Sequence, residues 1–270
     1  MGKDLMDAYP QARALMEAAD AALGRKLTDV MFSGPDAELT RTSNCQPALY
    51  VHGLALWSVL QKRVQVEPVA AAGLSLGEFT AHAAAGTFAM EDGLRLVEKR
   101  GAFMEDACAA APGSMAALIA GTPEAAVALA QECDVDVANF NCPGQIVLSG
   151  SVEGIDKAVE GAKAAGFKRG LKLNVAGAYH SRYMKPAQTA LLPELQATPM
   201  QAPAFPVYCN FGGRPVEGPE DVRAMLGEQV CGSVRWQACM EDLVAKGERL
   251  FIEMGPGNTL AGMMARICAD

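Results

Sequence analysis

Apolar residues along this chain recur with two different spacings, which together predict an α/β fold. A short apolar run over 66–75 ends in a glycine turn and is typical of a buried strand. Apolar residues at helical spacing predict helices over 9–24, 43–63, 77–86 and 90–110. Gly24 predicts the end of the first helix, while Ser43 or Asn44, with Pro47 in the first turn, predicts the start of the second. A strand, a glycine turn and a helix in succession indicate α/β architecture.

The middle of the chain follows a different order of elements. Strand-like and helical segments alternate there as strand, helix, strand, strand, helix and strand, over 114–121, 122–132, 134–141, 144–150, 152–166 and 168–175. This βαββαβ order is the ferredoxin-like split unit. We therefore predict a small ferredoxin-like domain over 113–175, inserted in a large α/β domain formed by 1–112 and 176–270. In the large domain, the apolar run over 249–255 predicts a further strand.

Composition narrows the classes of function. The net charge of −8 argues against nucleic acid as a general partner, and no apolar run reaches membrane-spanning length. The N-terminal segment lacks a signal-peptide core, and the eight cysteines lack CxxC or metal-site spacing. We expect reduced thiols, no metal, no cofactor and a cytoplasmic location. Within 161–193 there are six basic residues and no acidic one: Lys163, Lys168, Arg169, Lys172, Arg182 and Lys185. This run is either a solvated face or a docking surface for an anion.

The sequence "GLSLGEF" at 73–79 places a serine in a G-x-S-x-G motif. A strand before this motif and a helix after it are the context of a nucleophile elbow. Gly73 and Gly77 are expected to allow the sharp turn, which pushes Ser75 out beside backbone N–H groups at a helix N-terminus. The alternative is an incidental serine in a glycine-rich turn. The context favours Ser75 as a nucleophile.

A serine nucleophile needs a base, and the chain has three histidines. His82 follows Ser75 on the same predicted helix, and His52 fits a packed position in an amphipathic helix. His180 lies in a glycine-containing loop after the small domain, which favours it as the general base. Because no acidic residue lies in a suitable loop just upstream, a backbone carbonyl is the alternative partner for this histidine.

Six motifs in order resemble malonyl-CoA:acyl carrier protein transacylase of the acyltransferase domain family: "GLSLGEFTAHAAAG", "RLVEKRGAFM", "ANFNCPGQIVLSG", "GAYHS", "EQVCGSVRW" and "IEMGPGNTLAGM". The resemblance covers nearly the whole chain. It implies an α/β-hydrolase-like large domain with a ferredoxin-like small domain.

The resemblance also implies roles for seven residues. It implies that Ser75 carries the acyl group, that His180 is the base and that the backbone carbonyl of Gln229 orients it. Arg100 corresponds to the arginine that pairs with the malonyl carboxylate, for which a guanidinium fork is well suited. Asn139 and Met104 would line the substrate pocket, and the N–H of Leu76 would donate to the oxyanion.

The implied reaction is transfer of malonyl from malonyl-CoA to the phosphopantetheine thiol of acyl carrier protein, for fatty-acid synthesis. It proceeds through a malonyl-serine ester, with ping-pong kinetics. The implied partners are malonyl-CoA and acyl carrier protein, bound by a monomer. The basic run over 161–193 would then steer both anionic partners toward His180. Tyr179 before this histidine favours a small acyl group.

The chain departs from the family pattern at two places. Leu74 stands where the family usually has histidine, which removes a hydrogen-bonding side chain. The family also opens with a strand and a P-G-Q-G-S-Q turn whose glutamine supplies an oxyanion N–H, and this chain starts with "MGKDLMDAYP". Loss of one oxyanion donor reduced turnover about 10²- to 10³-fold in a serine protease. The sequence therefore predicts impaired activity and stability, to be tested by malonyl transfer with restored upstream residues.

Three other functions fit parts of the pattern. A serine esterase or thioesterase could use the same elbow, but a cation at the acyl end, such as Arg100, would then have no purpose. A truncated, non-catalytic protein could bind carrier protein as a scaffold. An acyltransferase of polyketide synthesis would share the motifs.

Overall fold

The computed structural model describes residues 1–269, which form thirteen α-helices, one short 3-10 helix (Arg182–Met184) and two small sheets. The helices are α1 (Lys3–Ala8), α2 (Pro10–Leu23), α3 (Leu27–Ser33), α4 (Asp36–Thr40), α5 (Thr42–Arg63), α6 (Leu76–Ala84), α7 (Met90–Ala110), α8 (Pro123–Glu132), α9 (Val152–Gly161), α10 (Lys185–Ala197), α11 (Pro219–Gln229), α12 (Trp236–Ala245) and α13 (Thr259–Ile267). The strands are β1 (Ala71–Ala72), β2 (Ser114–Ile119), β3 (Asp136–Cys142), β4 (Gln145–Gly150), β5 (Arg169–Lys172), β6 (Val207–Cys209) and β7 (Arg214–Pro215). None of these helices is both long and apolar enough to cross a bilayer.

The four central strands form an antiparallel sheet in the order β3-β4-β2-β5. Each split strand–helix–strand unit places a third strand between its own two, as the ferredoxin-like order requires. Helices α8 and α9 cover one face, where Leu118, Leu148 and Ile155 are fully buried. The predicted ferredoxin-like unit is thus confirmed. The sheet runs from Ser114 to Lys172, inside the range predicted for the small domain.

The remaining strands form a three-stranded sheet in the order β1-β6-β7, with β1 and β6 parallel. The principal core lies among the helices of the large domain, mainly α2, α5, α7, α10 and α11, where Met16, Tyr50 and Leu94 are completely buried. A parallel bridge between Asn139 and Val234 joins the small sheet to the segment after α11. This bridge fixes the small sheet beside the segment that follows α11.

Three predicted elements differ from the structure. Helix α5 begins at Thr42, so Ser43 and Asn44 lie inside it and Pro47 lies beyond its first turn. Its N-cap residue is Arg41, whose side chain makes no cap, so the predicted cap at Ser43 or Asn44 is wrong. The strand expected over 66–75 is reduced to Ala71 and Ala72, because only these residues pair with β6. The strand expected over 249–255 is absent, since no described strand pairs with that segment, and its Leu250 is 83% exposed.

Candidate active site

Ser75 lies between the two-residue strand β1 and helix α6, as the motif predicts. Its φ of 53° is rare for a residue with a side chain, and this strained turn is typical of a nucleophile elbow. A Cβ on Gly73 would lie 1.9 Å from the carbonyl carbon of Gly77, so the turn requires glycine at residue 73. A Cβ on Gly77 would meet nothing within 4 Å, so the expectation that both glycines are required is wrong.

Gly73→Ala is expected to disrupt the elbow, whereas Gly77→Ala should be tolerated. The alanine methyl at residue 73 would overlap backbone, which cannot rotate away as a side chain can. We expect a loss of about 3 kcal/mol or more in the free energy of unfolding for Gly73→Ala, and less than about 1 kcal/mol for Gly77→Ala. Urea unfolding of both variants measures the difference, and equal stabilities would contradict this account of the turn.

The structure brings Ser75, His180 and Gln229 together in a hydrogen-bonded line. Ser75 Oγ lies 2.8 Å from His180 Nε2, and His180 Nδ1 lies 2.8 Å from the backbone oxygen of Gln229. A carbonyl oxygen can only accept, so Nδ1 carries the ring hydrogen and Nε2 is free to accept the serine proton. A backbone carbonyl therefore stands where a triad would have an acid.

The environment of His180 keeps its imidazole neutral. Burial lowers the pKa of His180 to about 4, and the positive charge of Arg100 contributes, while the backbone near Gln229 and Gly232 opposes the shift. The φ of His180 is 54°, so this residue, like Ser75, has a strained backbone. Above a pH of about 4 the ring is in the form that can take a proton.

Arg100 projects from α7 into the same cluster and is 1% exposed. Its Nη1 donates to Gln46 Oε1 at 2.6 Å, and its Nη2 donates to Gln229 Oε1 at 2.9 Å and to Ser75 Oγ at 3.1 Å. Its Nε has no partner among the described residues. Burial lowers the pKa of Arg100 to about 10, with the charge of Glu78 opposing the shift, so the guanidinium remains charged at neutral pH. A buried cation beside the nucleophile is suited to an anionic acyl group.

The other predicted site residues differ in how directly they join this cluster. Leu76 is the first residue of α6, so its N–H has no intrahelical acceptor and can serve an oxyanion. Met104 is 2% exposed and its Sδ lies 3.5 Å from Gln46 Nε2, one contact away from Arg100. Asn139 is 7% exposed on β3, and its side chain makes no hydrogen bond within the described residues to any member of the cluster. The structure does not bring Asn139 into the site's hydrogen-bond network.

Three residues that the sequence analysis did not identify complete the cluster. Asn210, just after β6, accepts from the Ser75 N–H through Oδ1 at 2.5 Å and donates from Nδ2 to the Gly73 oxygen at 2.7 Å. Glu78 accepts from the Asn210 N–H, and Gln46 accepts from Arg100. The only local signal for any of them is the spacing of Glu78, three residues after the serine.

The basic run over 161–193 is partly neutralised. Arg182 pairs with Asp134 at 2.8 Å and with Asp136 at 2.7 Å, and Lys172 pairs with Asp156. Lys163, Lys168 and Arg169 are exposed and form no ion pair within the described part of the chain. Across residues 1–269, no cluster of three histidine, cysteine or carboxylate side chains could hold a metal ion.

Comparison with known proteins decides the family. The sequence pattern of the acyl transferase domain matches residues 1–268. The chain belongs to the acyl transferase domain family. Among acyltransferases of this family, the malonyl CoA-acyl carrier protein transacylase of Bacillus subtilis is 38% identical over 272 residues, which are 99% of this chain and 86% of that protein. The Escherichia coli K12 protein of the same name is 38% identical over 98% of this chain and 87% of its own length.

Solved acyltransferase structures also match. The acyl-carrier-protein-S-malonyltransferase from Bartonella henselae has a TM-score of 0.95 and 38% identity, covering 100% of this chain and 88% of that one. A malonyl-transacylase in complex with its type II PKS acyl-carrier protein has a TM-score of 0.93 and 35% identity, with coverage of 100% and 88%. The resemblance and the α/β fold class inferred from the sequence are confirmed, and the chain is an enzyme of the acyltransferase class.

Proposed function

We propose that this acyltransferase moves a malonyl group from malonyl-CoA to the phosphopantetheine thiol of an acyl carrier protein, through an ester on Ser75. The single observation that carries the proposal is the buried Arg100, whose Nη2 lies 3.1 Å from Ser75 Oγ. A cation placed beside the nucleophile selects an acyl group that ends in a carboxylate. In a hydrolase of neutral esters, the buried Arg100 would have no anionic acyl group to bind, although burial of its charge is unfavourable. Relatives named as malonyl transacylases support the same substrate.

In the first step, His180 Nε2 takes the Ser75 hydroxyl proton as Oγ attacks the thioester carbon. The Leu76 N–H supports the developing oxyanion. The carbon–sulfur bond then breaks, and His180 returns the proton to the CoA sulfur. The malonyl-serine ester remains.

In the second step, the carrier thiol gives its proton to His180 and attacks the ester carbon. The carbon–oxygen bond breaks and Ser75 regains its proton, so the enzyme is restored. The Gln229 carbonyl holds the Nδ1–H throughout, which keeps the ring in one tautomer for both steps. His180 is 4% exposed, which limits the access of water to the ester.

Intact mass spectrometry after mixing with malonyl-CoA tests the proposal. We expect a single malonyl adduct, located on the peptide that contains Ser75 and removed by addition of phosphopantetheinylated carrier protein. Acetyl-CoA under the same conditions should give a weaker adduct. Absence of any malonyl adduct would contradict the proposal and favour a non-catalytic scaffold, while rapid release of malonate without carrier protein would favour a hydrolase.

We also propose that the exposed basic residues of the small domain contribute to carrier-protein docking. Arg169 begins β5 and Lys168 directly precedes it, and neither has an ion-pair partner among the described residues, so they can attract an acidic protein. Reversal of both to glutamate is expected to raise the KM for carrier protein about tenfold at low salt and to leave the KM for malonyl-CoA within about twofold. Reversal of Lys62 and Arg63, at the exposed end of α5, is a control with the same charge change. Equal KM values for carrier protein in both variants would exclude this docking surface.

A further inference from the structure

Glu78 is a fully buried carboxylate that the proposed mechanism does not use. It occupies the third position of α6, and S-x-x-E at a helix start is typical of a capping box. That box is not formed here. The Ser75 side chain makes no cap, and the Ser75 N–H donates to Asn210 and not to Glu78. Helix capping therefore does not account for this buried charge.

Glu78 instead fixes the direction of a neighbouring amide. Its Oε2 accepts from Gln229 Nε2 at 2.6 Å and from the Asn210 N–H at 2.9 Å, while Oε1 has no partner among the described residues. A carboxylate can only accept hydrogen bonds, so it requires Gln229 to present its NH2 group. Gln229 Nε2 also donates to the Ser75 backbone oxygen at 2.9 Å, which agrees with that orientation.

The orientation of the Gln229 amide determines whether Arg100 faces a hydrogen-bond acceptor or a donor. With Nε2 of Gln229 turned to Glu78, Oε1 faces Arg100 and accepts from Nη2 at 2.9 Å. In the reverse orientation the NH2 group would oppose the guanidinium, donor against donor, and the arginine would have to move. Gln46 holds Nη1 from the other side. The placement of the buried cation therefore depends on Glu78 through one intermediate residue.

We propose that Glu78 is a positioning residue that locks the Gln229 amide, and through it the Arg100 guanidinium, in the place where it captures the acyl carboxylate. This inference rests on the malonyl transfer proposed above. It assigns acyl selectivity to a residue that touches neither the nucleophile side chain nor the acyl group. An amide at residue 78 could meet Gln229 either as acceptor or as donor, so Glu78→Gln would weaken the lock while keeping the shape of the side chain. Only the Ser75 backbone oxygen would then still require the NH2 group of Gln229 on that side.

The protonation of Glu78 should act in the same way as that substitution. Burial raises the pKa of Glu78 to about 7, although the Asn210 N–H, the Gln229 amide and the charge of Arg100 all oppose the shift. Burial raises the thiol pKa of Cys209 and Cys239, which Glu78 also influences, so both remain neutral at this pH. Below a pH of about 7 the protonated carboxyl can donate to Gln229, and the amide is then held less firmly, by the Ser75 backbone oxygen.

The test compares kcat/KM for malonyl-CoA and for acetyl-CoA in the full chain and in Glu78→Gln. We expect the malonyl value to fall about 10- to 100-fold, the range seen when residues that orient metal-binding side chains are replaced. The acetyl value should fall less than about threefold, because acetyl has no carboxylate for the guanidinium to bind. Glu17→Gln, an exposed change on α2, is the matched control and should alter neither value. Equal losses for both substrates, or no loss for either, would overturn the inference.

A second measurement needs no variant and applies even if Glu78→Gln fails to fold. In the unaltered protein, the ratio of malonyl to acetyl kcat/KM should fall as pH decreases through the Glu78 pKa of about 7. A ratio that stays constant across this range would overturn the inference. If the unaltered protein transfers no malonyl at all, the proposed function itself fails, and this outcome is distinct from transfer with unchanged selectivity.

Discussion

Ser75→Ala is expected to abolish acyl transfer and the malonyl adduct while leaving the protein folded. Within residues 1–269, the Ser75 hydroxyl is the hydrogen-bond partner of His180 Nε2, at 2.8 Å. In a serine protease, removal of the nucleophile reduced kcat about 10⁶-fold, and what remained came from the oxyanion site and binding. We expect a similar loss here, measured as the rate of malonyl transfer to carrier protein.

The control for this variant is Ser58→Ala. Ser58 lies on α5, and its hydroxyl donates to the Ala55 backbone oxygen at 2.8 Å, away from the site. Its replacement should leave the rate within about twofold, because surface and helix-internal hydroxyl changes have small effects. Thermal unfolding of Ser75→Ala should remain cooperative. Residual transfer by Ser75→Ala at a tenth of the normal rate would show that another group accepts the malonyl.

Local sequence patterns predicted the elements whose geometry is set within a few residues. The glycine turn before Ser75 and the βαββαβ order follow from local spacing, and the structure has both. The loop position of His180 favours it among the three histidines, and the structure places its Nε2 2.8 Å from the Ser75 hydroxyl. The catalytic roles and the domain boundaries stay predictions.

The parts of the site that local pattern did not reveal depend on contacts between distant segments. Glu78 and Asn210 are 132 residues apart in the chain, and Arg100 and Gln46 are 54 apart. Each of these residues becomes part of the site only because the fold brings its partner close, and nothing in the sequence near it indicates that contact. The strand predicted over 249–255 does not form because it also depends on a distant segment. A strand needs a neighbouring strand that accepts and donates its backbone hydrogen bonds. An apolar run carries no information about that neighbour.

Arg100→Met should reduce malonyl transfer strongly and neutral acyl transfer weakly. Methionine keeps much of the apolar stem but removes the charge and every donor. Loss of a buried, charge-assisted pair corresponds to about 3–4 kcal/mol, so kcat/KM for malonyl-CoA should fall about 100- to 1000-fold. The value for acetyl-CoA should stay within about tenfold, because no carboxylate needs the guanidinium. The pKa of His180 should also rise, since the charge of Arg100 contributes to its low value.

Arg95→Met is the matched control, because Arg95 lies on the same helix but is exposed and forms an ion pair with the neighbouring Asp92 at 3.1 Å. It should change neither substrate's kcat/KM by more than about twofold. Arg100→Met also leaves the amide oxygens of Gln46 and Gln229 without their donor, so its unfolding temperature must be measured beside its rates. A folded Arg100→Met that loses both activities equally would show that the arginine supports the nucleophile through its contact with Ser75 Oγ, and does not select the acyl group.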